Sequence, residues 1–69
     1  MNVLKLKGRI VENGLTMEAV ADKLGIDRTT LSRKLSEDTV KVSEARKLIE
    51  LLKLTPEDAF AIFFTENIA

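Results

Sequence analysis

Arg28, Thr29, Thr30, Ser32 and Arg33 crowd one short segment, RTTLSR, whose only large apolar member is Leu31. Guanidinium forks beside hydroxyls are hydrogen-bonding tools here, because the 69-residue chain has no histidine or cysteine to activate a nucleophile. An arginine matches the O6 and N7 acceptors of guanine with two parallel hydrogen bonds, and threonine offers bases a hydroxyl and a methyl group. At the exposed start of a short helix, such side chains reach base edges in the major groove of DNA. Two plainer accounts use the same residues: arginines paired with Asp27 or Glu37 on a solvated face, and threonines serving only the first turn of a helix.

A reading helix needs a scaffold, and the flanking sequence supplies one. From Thr16 to Leu35, TMEAVADKLGIDRTTLSRKL, the pattern predicts two short helices joined by a tight turn at Gly25-Ile26-Asp27. The first spans about Met17 to Leu24 with Thr16 as N-cap, and Met17, Val20, Ala21 and Leu24 share one face. The second spans about Arg28 to Ser36, capped by Asp27, with Leu31 and Leu35 as a single narrow apolar seam. Most of its circumference is polar, which a helix meant only to fill a core does not need.

Three further helices are expected, and no strand. One runs from about Val3 to Asn13, with Asn2 as cap, Val3, Leu6 and Ile10 inward, and Gly14 in the left-handed stop position with Leu15 packed behind it. Gly8 inside it costs about 1 kcal/mol relative to alanine, and marks either a close helix approach or tolerated weakness. Another runs from Ser43, or one residue earlier, to about Lys53, with Val42, Ala45, Leu48, Ile49 and Leu52 inward. The last opens at Thr55-Pro56 with Glu57 and Asp58 in its first turn and ends near Phe64. With no repeat and no linker-like tract, residues 1–69 read as one all-α domain.

Composition excludes several classes. Zero cysteines rule out disulfides and thiolate metal sites, and zero histidines remove the commonest general base and metal ligand. Nothing else converges at the spacing of paired carboxylates or a phosphate-cradling glycine loop, so the chain is expected not to be an enzyme and to carry no cofactor, metal or small-molecule ligand. No apolar run approaches the roughly 20 residues of a membrane span, and the N-terminus lacks an apolar leader, so a cytoplasmic location without membrane contact is expected. Net charge is zero but unevenly laid out: residues 1–53 hold all 11 Lys and Arg against 8 acids, whereas residues 54–69 hold Glu57, Asp58 and Glu66 and no basic residue. Basic groups upstream of an acidic, aromatic tail suit a protein that meets DNA with one end.

Residues 3 to 64 resemble the lambda-type phage repressors and Cro proteins, within the wider Xre-like transcription regulators. Ala21 matches the small residue at the crossing of helices 2 and 3, Gly25 the turn glycine, and Val20, Leu24, Ile26 and Leu31 the buried positions. The runs TTLSRKL and AIFFTENIA are similar to those of small regulators of Gram-positive phages and mobile elements. The resemblance implies a compact five-helix lambda-repressor-like DNA-binding domain with its helix-turn-helix at helices 2 and 3. It further implies that Arg28, Thr29 and Arg33 face base edges, with Thr30 and Ser32 beside them. One position departs: Lys34 stands where the family commonly has an apolar residue, and Leu35 takes over the inward role, where it would meet Ile10.

Phosphate contacts are expected from Thr16 and the free N–H groups of Met17 and Glu18, and from Lys34, Ser36 and Lys41. Lys5, Lys7 and Arg9 are weaker candidates. Glu18 and Asp22 form an acidic pair on the outer face of helix 2. In the lambda-type family, acids at matching positions can touch RNA polymerase, although helix-dipole stabilisation and solubility explain them more simply. In the tail, Phe60, Ile62, Phe63, Phe64 and Ile68 exceed what so small a domain covers, and point to a homodimer through residues 56–69, with IFFT a candidate strand across the dimer. Such a dimer would act as a Cro-like repressor occluding a promoter at a palindromic operator, since 69 residues leave no room for a ligand-sensing or self-cleaving domain unless the chain is a fragment of a longer repressor. An antitoxin-like or adaptor-like helical interaction module is the alternative.

Overall fold

Four of the five helices begin on a side-chain oxygen that accepts a backbone N–H from the first turn. A computed structural model describes residues 1–64, and its elements are α1 (Val3–Glu12), α2 (Met17–Leu24), α3 (Arg28–Glu37), α4 (Val42–Leu52) and α5 (Pro56–Phe63). Asn2 accepts from Lys5 at 3.1 Å, Thr16 from Ala19 at 3.1 Å, Asp27 from Thr30 at 2.7 Å and Thr55 from Asp58 at 3.1 Å. Each bond satisfies a donor that the helix itself leaves unpaired. α4 differs: Lys41 occupies the N-cap, and Glu44 reaches back to accept the Lys41 N–H at 2.9 Å, half of a capping box.

Stops follow the same chemistry. Gly14 (φ 70°) and Gly25 (φ 76°) take left-handed backbone, and Leu15 N–H donates to Ile10 and Ile26 N–H to Ala21 across them. α3 and α4 make the same stop without glycine, at Asp38 (φ 56°) and Lys53 (φ 53°). Such a stop holds a side chain in a conformation glycine adopts more cheaply.

The buried faces meet in one core. Leu6 and Ile10 of α1, Val20, Ala21 and Leu24 of α2, Leu31 and Leu35 of α3, and Leu48 and Leu52 of α4 converge there, joined by Leu54 and by Ile62 of α5. α2 and α3 pack most extensively on each other, and Ala21, 1% exposed, is the small residue that lets them close. Leu35 is buried in the same cluster as Ile10, in the inward role expected of it. α1 and α5 are clipped by Asn2 N–H donating to the Ile62 carbonyl at 2.7 Å.

Three expectations are corrected and one is narrowed. Val42 is 76% exposed: at the first position of α4 it sits on the rim of the stripe centred on Leu48 and Leu52. Ile62 is 0% exposed and belongs to this chain's own core, so it cannot line a dimer surface. Ile62 and Phe63 are helical, which removes IFFT as a strand, and Ile68 lies outside the described residues. Of the two readings of Gly8, tolerated weakness remains: beyond its own stretch of helix backbone, no atom of the described residues lies within 4 Å of where a Cβ would stand.

The acidic first turn of α5 is not spatially separate from the basic part. Asp58 of α5 accepts from Arg9 of α1 at 3.1 Å and lies 3.9 Å from Lys5, while Arg9 also holds Glu12. These pairs occupy Lys5 and Arg9, the weaker phosphate candidates, where α1 meets α5.

Candidate nucleic-acid interface

At 100° per residue, the positions of α3 farthest from the Leu31–Leu35 seam are Arg33, Thr29 and Glu37, then Ser36 and Thr30, with Ser32 and Lys34 on the two shoulders. Thr29, Ser32, Arg33 and Ser36 are exposed, whereas Thr30 and Lys34 are half-buried. Arg28 lies nearer the seam in angle, but it stands at the first position of the helix, nearly a turn before Leu31, and is exposed. Among the described residues neither Arg28 nor Arg33 forms an ion pair, so the simpler pairing with Asp27 or Glu37 is not made. Asp27 is instead held by the Thr30 N–H and hydroxyl, which pull its carboxyl below the ordinary range, with a smaller contribution from the Arg33 charge.

An open cleft runs beside this face. Thr16, Glu18, Ala19 and Asp22 of the α2 side line it, as do Gly25, Ile26 and Asp27 of the turn and Arg28 and Thr29 of α3. The cleft brings Thr16, a phosphate candidate, onto one surface with Arg28 and Thr29, candidates for base contact. The Thr16 hydroxyl takes the Ala19 N–H, leaving the N–H groups of Met17 and Glu18 as donors at the positive end of α2. The side chain of Met17 packs against the core. Glu18 and Asp22, placed from sequence on the outer face of α2, line the same cleft as Arg28. The surface is therefore mixed in sign: the N–H donors at the start of α2 stand beside the carboxylates of Glu18 and Asp22, whose charge offsets part of their pull on a phosphate.

At the other end of α3 the residues divide. Lys41 is exposed at the start of α4. Ser36 donates its hydroxyl to the Arg33 carbonyl at 3.1 Å, leaving oxygen lone pairs but no proton for a ligand. Lys34 departs most from expectation: its ammonium binds Glu44 at 2.9 Å, with the two side chains 19% and 12% exposed. That ammonium is the main reason the Glu44 carboxyl titrates below the ordinary range, and the Lys41 N–H adds to it. Sequence alone missed this pair. The two residues stand ten positions apart on different helices, and only the packing of α4 against α3 brings them together.

Three depressed carboxylates, Asp27, Glu44 and Asp58, set a pH dependence. Asp58 is lowered first by the Arg9 guanidinium. A folded-state value below the unfolded one contributes stability that is full above the unfolded range of about 3.9–4.3 and is lost as pH falls through the folded values. With no histidine in the chain, thermal melts should be flat from about pH 7 to 5 and fall steeply below about pH 4. A melting temperature unchanged down to about pH 2.5, well below the unfolded carboxylate range, would contradict these contacts.

A family model described as Helix-turn-helix matches residues 6–58. The chain belongs to this Xre/lambda-repressor-like helix-turn-helix family, and its five helices with α2 and α3 as the motif have the lambda-repressor-like fold. Membership makes it a DNA-binding transcriptional regulator in general, built on a regulatory rather than an enzymatic domain. No curated protein and no solved structure matches the chain. No helix among the described residues is long and apolar enough to cross a membrane.

Proposed function

We propose that the chain is a Cro-like repressor of the cytoplasm, a homodimer that occupies a palindromic operator and blocks a promoter by its presence. The carrying observation is the outward face of α3, where Arg28, Thr29, Ser32 and Arg33 are exposed and the arginines are unpaired among the described residues. Those side chains read the bases. Thr16, the first N–H groups of α2 and Lys41 grip the backbone on either side, fixing register without carrying sequence information.

The dimer rests on α5. Phe60 and Phe64 are 65% and 75% exposed and stack on each other with ring centroids 5.8 Å apart, an aromatic surface turned away from the chain's own core. Phe63 contributes less, being half-buried against that core. A two-fold contact at α5 sets two recognition helices about 34 Å apart, one turn of DNA. The double variant Phe60→Glu, Phe64→Glu alters only exposed rings, so it should fold yet sediment as a monomer and bind a two-half-site duplex far more weakly. A wild-type protein that sediments as a monomer both free and on such a duplex would refute the dimer.

A further inference from the structure

We propose that Glu44 restrains DNA affinity by sequestering the Lys34 ammonium, so that the recognition helix binds with fewer sequence-independent contacts than its charge allows. The inference rests on the DNA-binding reading above and adds to it a residue that sets specificity without touching DNA.

Lys34 directly follows Arg33 on α3, yet its ammonium is drawn back to α4 by Glu44 at 2.9 Å. Glu44 is doubly committed, one oxygen accepting from Lys34 and the other from the Lys41 N–H, and its side chain is 12% exposed. Moving Lys34 to a phosphate would strand a largely desolvated carboxylate, and the gain at the phosphate would have to outweigh that penalty. Lys41, by contrast, is exposed and keeps its charge available. A lysine held in an ion pair releases no counterion from DNA, so it adds nothing to the non-specific term that any duplex satisfies. Base contacts by Arg28 and Arg33 are unaffected, and the ratio of specific to non-specific affinity rises.

Glu44→Gln tests this, because the amide keeps an oxygen for the Lys41 N–H and removes the charge that holds Lys34. On random-sequence duplex, the slope of log affinity against log salt should steepen by about 0.9 per protomer, and binding at low salt should tighten several-fold. Lys34→Gln alone should keep the wild-type slope, and the double variant should return to it. A purely structural role for Glu44 predicts the opposite, weaker binding with no steeper slope. The proposal is overturned by an unchanged or shallower slope in Glu44→Gln. It is equally overturned by a slope about 0.9 shallower in Lys34→Gln, a result that stands even where Glu44→Gln does not fold. Wild-type protein with no salt-dependent binding to any duplex would instead sink the DNA-binding reading beneath it.

Discussion

Leu31→Ala should destabilise the domain by about 2–5 kcal/mol, read as a lowered urea midpoint at unchanged slope. Leu31 is 1% exposed and forms, with Leu35, the entire apolar seam by which α3 is held to the rest of the molecule. Truncating it removes burial and leaves a hole in a core that holds a dozen buried apolar side chains among the described residues. Domains of this size have roughly 0.05–0.15 kcal/mol of stability per residue, so the variant forfeits much of the total. DNA binding would fall with it, because the reading face is the other side of the same helix. Leu4→Ala is the matching control: Leu4 is 83% exposed, and its truncation should change stability by no more than about 0.5 kcal/mol. Equal, small effects from both variants would mean that α3 is not anchored through Leu31.

Arg33→Ala should leave the fold intact and weaken operator binding by about 1–3 kcal/mol, with preference relaxed at particular base pairs. Arg33 projects opposite Leu31 and Leu35, is exposed, and meets no carboxylate among the described residues, so its fork is free for a guanine edge. Arg28→Ala should act similarly at a neighbouring position. Lys41→Ala should behave differently, lowering affinity for every sequence alike and flattening the salt slope by about 0.9 for each phosphate no longer neutralised. The contrast separates reading from gripping. Operator affinity and base preference untouched by Arg33→Ala would place the recognition face elsewhere on α3.

Local chemistry made much of this legible in advance. Thr16, Asp27 and Thr55 are caps wherever they precede an amphipathic run, and Gly25 is a stop because its backbone tolerates positive φ. The bounds of α2 follow from Thr16 and Gly25 alone. What the pattern could not supply were choices made between distant elements. Phe60, Phe63 and Phe64 share one side of α5, but which side faces inward depends on α1: Asp58 meets Arg9, and Ile62, one turn on, enters the core beside it. That leaves Phe60 and Phe64 outside and removes Ile62 from any surface. Lys34 likewise looks free in sequence, and only the placement of α4 brings Glu44 to it. The tight turn between α2 and α3 brings Glu18 and Asp22 to the cleft beside Arg28 as well.

Selection of bound duplexes from a random pool by the wild-type protein tests most directly whether the exposed face of α3 reads base sequence in duplex DNA. Enrichment of a common site with two inverted halves, centres about 10–10.5 base pairs apart, is the predicted result, with altered base preference when Arg33→Ala is selected in parallel. A pool that remains random after selection would contradict it.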